Sequence, residues 1–387
     1  MPPAFFADRR VATHTLSGHP EHAGRLNAVL DLFEAEGIPS QLLRVQAQPA
    51  TEEQLLRVHS PRHLEVLART EQLENGAMIG ADTYVFPESY GLARLAAGGV
   101  LAVVDAVCSG AAPNGLATVR PPGHHAPPEG IMGFCLLNHI ALGARQAQQV
   151  HGLARVAIVD FDVHHGNGTQ DAFYADPGVL FISSHQSPLY PGTGATQETG
   201  QGAGKGFTCN LPLPALSGDE ALYTVYEQVG LPVLERFAPQ LILVSAGFDA
   251  HWADPLANLE MTLGGLDRLV RRLLASAAML CEGRIIFVME GGYDLPALSH
   301  GWLNIVRALL DQPPGPDLLG AGGAFGVCFR GVAFASEGAA RPALGVGGRL
   351  QFNRPYSIMR RRAAENKGTL QWQRSICATT TIELMRC

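Results

Sequence analysis

Four apolar, β-branched runs place the strongest limit on the fold: Arg155–Val163, Val179–His185, Leu241–Asp249 and Arg284–Tyr293. Each reads as a strand buried on both faces. Helical patterns lie between them, notably Asp219–Phe237 and Gly265–Cys281. Strands alternating with helices predict an α/β fold, with a mostly parallel sheet flanked by helices on both faces. Upstream, Leu116–Arg120 reads as another short strand and Arg94–Ser109 as an Ala-rich helix. Glu21–Glu36 and Glu52–Thr70 read as surface helices.

The reactive side chains fall where these strands end. Asp160-Phe161-Asp162-Val163-His164-His165-Gly166-Asn167-Gly168 follows the apolar Val156–Val159. A strand alternates faces with period two, so Asp160, Asp162 and His164 are expected to point the same way. Oxygen and nitrogen donors converging before a Gly-rich turn suit a divalent metal, zinc first among the candidates. Asp249 ends a second strand, Glu290-Gly291-Gly292-Tyr293 a third, and Arg120-Pro121-Pro122-Gly123-His124-His125 follows a fourth. Open α/β sheets bind ligands outside the carboxyl ends of their strands, so these four ends predict one shared site.

Composition narrows the setting. A chain of 387 residues with 47 % hydrophobic and 16 % charged residues can bury a large core. Its net charge of -7 argues against a general nucleic-acid binder and would mildly attract a basic peptide. No uninterrupted apolar run reaches the roughly 18 residues of a membrane span. Met1–Arg10 lacks an apolar stretch followed by a cleavage site, so no secretory leader is expected. Seven scattered cysteines without a C-x-x-C pair fit reduced thiols in a cytoplasm, which leaves His and carboxylate as the expected metal ligands. Residues 1–312 read as a single domain. The remainder, 313–387, is Gly/Ala-rich and then basic: from Asp317 onward ten Lys or Arg outnumber four Asp or Glu, and no His occurs. It is expected to be a weakly ordered extension without a part in the function.

Taken together, R-P-P-G-H-H at 120–125, G-F-C-L-L-N at 133–138, D-F-D-V-H-H-G-N-G-T-Q at 160–170, S-A-G-F-D at 245–249 and E-G-G-Y at 290–293 resemble the histone deacetylase superfamily. That group includes bacterial histone deacetylase-like and acetylpolyamine amidohydrolases and acetoin-utilisation proteins. R-P-P-G-H-H and the Asn of H-H-G-N-G are most similar to its class II branch. The resemblance implies a single arginase/deacetylase-like domain and zinc-dependent hydrolysis of acetylated lysine side chains or related acylated amines.

It also implies residue roles. Asp162, His164 and Asp249 correspond to the zinc ligands. His125 corresponds to the general base, and His124 to the histidine that tunes the site. Asn167 and Asp160 correspond to their respective partners, and Tyr293 to the donor that meets the carbonyl oxygen. A neutral amide raises an imidazole's pKa less than a carboxylate does, so His125 should be the more readily neutral of the pair. Gly133-Phe134 and Tyr190 resemble the channel that holds the acetyl-lysine chain. Leu256 falls seven residues after Asp249, where polyamine-selective relatives carry an acidic residue. Leu there tilts against acetylpolyamines. The family also binds potassium, and Ser183 resembles a ligand of that site. His165 receives no role.

Two other readings stay open at this point. One is an amidohydrolase for acetylpolyamines or other small amides. The other is a catalytically silent acetyl-lysine binding protein. A homo-oligomer is compatible with either, and no membrane partner is expected.

Overall fold

The computed structural model describes residues 1–321, and the expectations for 322–387 lie outside the described residues. Among the described residues ten strands are formed: β1 Ala4–Ala7, β2 Leu43–Arg44, β3 Ala77–Ile79, β4 Thr83–Val85, β5 Gly115–Thr118, β6 Val156–Asp160, β7 Val179–Gln186, β8 Thr208–Leu213, β9 Leu241–Ala246 and β10 Ile285–Met289. Eight of them form one sheet in the order β2-β1-β5-β10-β9-β6-β7-β8. Every pairing in it is parallel. β3 and β4 make a separate antiparallel hairpin. All residues of β5, β6, β7, β9 and β10 are buried, as strands covered on both faces must be.

Helices α1 Gly24–Ala35, α2 Glu52–Leu55, α3 Pro61–Thr70, α4 Ser89–Cys108 and α5 His139–Gln149 precede or flank β6. α6 Asn167–Phe173, α7 Asp219–Val225, α8 Leu231–Phe237, α9 Leu263–Leu280 and α10 Leu295–Leu309 follow. α4 is long and apolar enough to cross a membrane by length and composition, although 61 % of that stretch is buried inside the protein. It packs against α5, β1 and β5 as a core helix.

Three expectations are corrected. Glu52–Thr70 is two helices, because Ser60 caps a new one and Pro61 occupies its first turn. The Glu21–Glu36 segment is not merely a surface helix: Glu21 and Arg25 are fully buried. Asp219–Phe237 is interrupted by a π turn at Tyr226–Gly230.

The topology brings the chemistry together. β5, β10, β9 and β6 are the four adjacent central strands, although they come from widely separated stretches of chain. Register aligns their ends: Asp160 pairs with Ser245, Val288 with Ser245, and Val288 with Ala117. The segments bearing His124, Glu290, Asp249 and Asp162 therefore leave the sheet side by side.

Candidate metal centre and active site

β5, β6, β9 and β10 stop earlier than the apolar runs suggest, while β7 runs one residue past its expected end. β6 ends at Asp160, and Asp162 and His164 lie in the turn beyond it. Asp160 Oδ1 accepts from the Asp162 N–H at 3.1 Å, and Asp162 Oδ1 accepts from the His164 N–H at 2.9 Å. Two successive side-chain-to-backbone turns replace the ladder, because a short carboxylate can satisfy the N–H two residues on. The three side chains consequently do not share one target. Asp162 and His164 face the candidate metal site, whereas Asp160 turns to His124.

Ligand-type atoms of Asp162, His164 and Asp249 all lie within 4.8 Å of one another. His164 Nδ1 is 3.2 Å from both Asp162 Oδ1 and Asp249 Oδ2. Two metal bonds of about 2.0 Å at a tetrahedral angle set their ligand atoms roughly 3.3 Å apart, so this spacing fits a divalent cation. The second oxygen of each carboxylate is held by a neighbouring strand end. Asp162 Oδ2 accepts from the Gly291 N–H at 2.7 Å, and Asp249 Oδ1 from the Val163 N–H at 2.9 Å. Such outer bonds fix a ligand's aim. Gly291 is required sterically, since a Cβ there would meet both carboxylates.

The two adjacent histidines are 2 % and 4 % exposed, with ring centroids 4.1 Å apart. His124 Nδ1 donates to Asp160 Oδ2 at 3.0 Å. Burial alone would depress His124, but Asp162 and Asp160 outweigh it and hold its pKa well above the usual range. His125 Nδ1 donates to Asn167 Oδ1 at 2.8 Å. The Asn167 amide is oriented by its Nδ2, which donates to Met132 Sδ at 3.4 Å. This leaves His125 Nε2 as the unprotonated nitrogen. Burial and the positive charge of His124 push His125 well below the usual range. One imidazole thus favours the cation and its neighbour the neutral base.

Tyr293 lies partly buried beyond β10, its ring 5.9 Å from Phe134. Burial keeps its pKa well above the ordinary phenol value, so it is a proton donor. The Arg25 guanidinium lies 4.8 Å over that ring. Arg25 Nε also donates to the Gly292 carbonyl at 2.7 Å, and a second guanidinium nitrogen donates to the Glu290 carbonyl. Arg25 and Arg120 converge on Glu21, with Arg120 making a two-pronged pair at 2.7 and 2.8 Å. The Glu290 side chain accepts from the Gly123 and His124 N–H groups at 2.7 and 3.1 Å, so it ties the His-His turn to β10.

Phe134 and Tyr190, the expected channel residues, pack against different neighbours. Phe134, at a left-handed φ of 66°, packs edge-on against His19 and Tyr293. Its predecessor Gly133 has a φ of 58° and lies against His125, where a Cβ would collide with the imidazole. Tyr190 packs against His125 and His164 at 5.2 and 6.2 Å, and is 38 % exposed. Leu256 lines a neighbouring groove of about 570 Å³ with His19, His22 and Pro255. Ser183 is buried in β7 with its hydroxyl 3.0 Å from His185 Nδ1. His165 meets Thr193 Oγ1 at 2.7 Å and Gln170 Oε1 at 3.1 Å, tethering the loop that carries Tyr190.

Glu21, Arg25 and the carboxylate of Glu290 were not singled out from the sequence. Their signal was weak because each acts through backbone groups or a partner far along the chain. Glu290 is the first residue of the E-G-G-Y motif.

Residues 19–309 match the family model described as the histone deacetylase domain. The chain is 44 % identical over 316 residues to the rice (Oryza sativa subsp. japonica) protein named histone deacetylase 10, chloroplastic, covering 78 % of this chain and 71 % of that one. It is 40 % identical over 294 residues to a histone deacetylase-like amidohydrolase of Pseudomonas aeruginosa, covering 76 % and 77 %. The solved HDA15 HD domain superposes with a TM-score of 0.76 at 36 % identity, over 82 % of this chain and 90 % of that one.

Proposed function

Because the chain belongs to the histone deacetylase family and is an amide hydrolase, we propose that it removes acetyl groups from acetylated lysine side chains in a zinc-dependent reaction. One observation carries this reading: three residues that could hold a metal, an imidazole paired to an amide and a partly buried phenol converge at the ends of four adjacent strands. Asp162, His164 and Asp249 would hold the zinc, which would supply Lewis acidity to a carbonyl and lower the pKa of a water molecule. His125 Nε2 takes the proton of the attacking water and returns it to the departing amine nitrogen. His124, held as a cation by Asp160, offsets the negative charge that develops beside it. Tyr293 donates to the acetyl oxygen as it becomes negative. No nucleophilic side chain is needed, and Cys135, fully buried with its thiol on the Gly133 carbonyl, serves packing.

Gly133-Phe134 and Tyr190 flank the thin alkyl chain of the substrate in this reading. Leu256 places no charge at the groove beside the mouth, which favours a lysine side chain over a polyamine with a second ammonium. Ser183 remains the residue assigned to a potassium site. The test is turnover by the zinc-loaded protein of an acetyl-lysine peptide against acetylputrescine. The peptide should be the better substrate by kcat/KM, and a large excess for acetylputrescine would overturn the substrate class.

A further inference from the structure

Asp254 is buried, 6 % exposed, in the loop between Asp249 and α9. Among the described residues no lysine or arginine pairs with it. Its carboxylate is instead satisfied by backbone N–H groups from two segments. Oδ2 accepts from Tyr293 at 2.6 Å and from Asp294 at 3.2 Å. Oδ1 accepts from Leu256 at 3.0 Å. Burying a carboxylate without a cationic partner is costly, and three N–H donors are the compensation the fold supplies. The cost is placed at one point: the turn that presents the Tyr293 phenol and the loop that presents Leu256.

We propose that Asp254 is a positioning residue that sets the reach of the Tyr293 phenol by gripping its backbone, and holds Leu256 in register with it. Gly291 and Gly292 precede Tyr293, and Gly292 has a φ of 114°, so the turn has little rigidity of its own. Arg25 restrains the carbonyl side of that turn at Glu290 and Gly292. Asp254 is the restraint on its N–H side, directly at Tyr293.

The inference rests on the reading of Tyr293 as donor to the acetyl oxygen. Its test is Asp254→Asn, alone and combined with Tyr293→Phe, assayed on an acetyl-lysine peptide with metal content and thermal midpoint measured alongside. Asn matches Asp in shape but offers one acceptor oxygen, so either the Tyr293 side or the Leu256 side faces an amide NH2. Displacing an oxyanion donor by about 1 Å costs on the order of 100-fold, so kcat should fall roughly 10- to 100-fold. KM should stay within about twofold and metal stoichiometry should be unchanged. In the Tyr293→Phe background the same change should alter kcat by less than about threefold, because the donor it positions is already gone. A kcat kept within about twofold, an equal fall in both backgrounds, or a fall that tracks lost metal each overturns the proposal. If the Asn variant is too unstable to assay, Asp254→Ser is judged by the same two-background comparison. Intact turnover in Tyr293→Phe alone would instead overturn the reading of the site.

Discussion

Adjacent imidazoles 4.1 Å apart would ordinarily titrate alike; here the partners behind them separate their behaviour. His124 is backed by a carboxylate and His125 by an amide. Asn167→Asp would place a negative charge behind the base and raise its pKa. A base protonated at higher pH loses activity there, so the acidic limb of kcat/KM against pH should move to higher pH. An unmoved limb would contradict the role of His125. Tyr293→Phe removes one donor to the developing oxyanion, and kcat should fall about 100- to 1,000-fold with bound metal unchanged. At this scale the motifs were legible, because the chemistry demands particular side chains at fixed spacing. Glu21, Arg25, Asp254 and Glu290 were not, because each is defined by backbone groups or partners that only folding brings near.

The strand-end turns are the elements that convert a sheet into a site. Their positions were readable from where the apolar runs met polar residues, but the strands were read too long at their carboxyl ends. β6 stops at Asp160, β9 at Ala246 and β10 at Met289; the turns after β6 and β10 are held by side-chain oxygens, and the turn after β9 by a bond from the Phe248 N–H to the Gly291 carbonyl. Period-two reasoning therefore placed Asp160 with the ligands, although it serves His124. Gly291→Ala tests how tightly these turns interlock. Its Cβ would meet the Asp162 and Asp249 carboxylates, so the purified variant should retain no stoichiometric metal while remaining folded by circular dichroism. Full metal occupancy in that variant would show that the turns can yield.

For the whole molecule, the class of fold followed from alternating strands and helices, but the order β5-β10-β9-β6 did not, since long-range pairing leaves no local signature. Burial on this scale also shapes acid stability. It depresses His14, His139 and His185 to about 4 and His59 to about 3. An unfolded histidine titrates near 6.5, so below that pH the unfolded chain binds protons that these native sites refuse. Glu290 and Asp254, raised by burial to about 7, and Asp160, raised by burial to about 6, act in the opposite sense but are fewer than the depressed histidines, which also include His165 at about 3. Glu21, lowered to about 2 against the effect of burial by Arg120 and Arg25, adds a further loss below about 4.5. The thermal midpoint should therefore fall as pH drops from about 7 to about 5. A flat profile over that range would contradict the balance.

The proposed chemistry makes turnover of acetyl-lysine depend on a metal held by Asp162, His164 and Asp249. The direct measurement is deacetylation of an acetyl-lysine peptide by protein stripped with a chelator and then titrated with zinc. Activity should be absent after stripping and return at one equivalent of zinc, and it should not return in Asp249→Ala. Turnover that survives stripping, or that zinc restores in Asp249→Ala, would contradict the account.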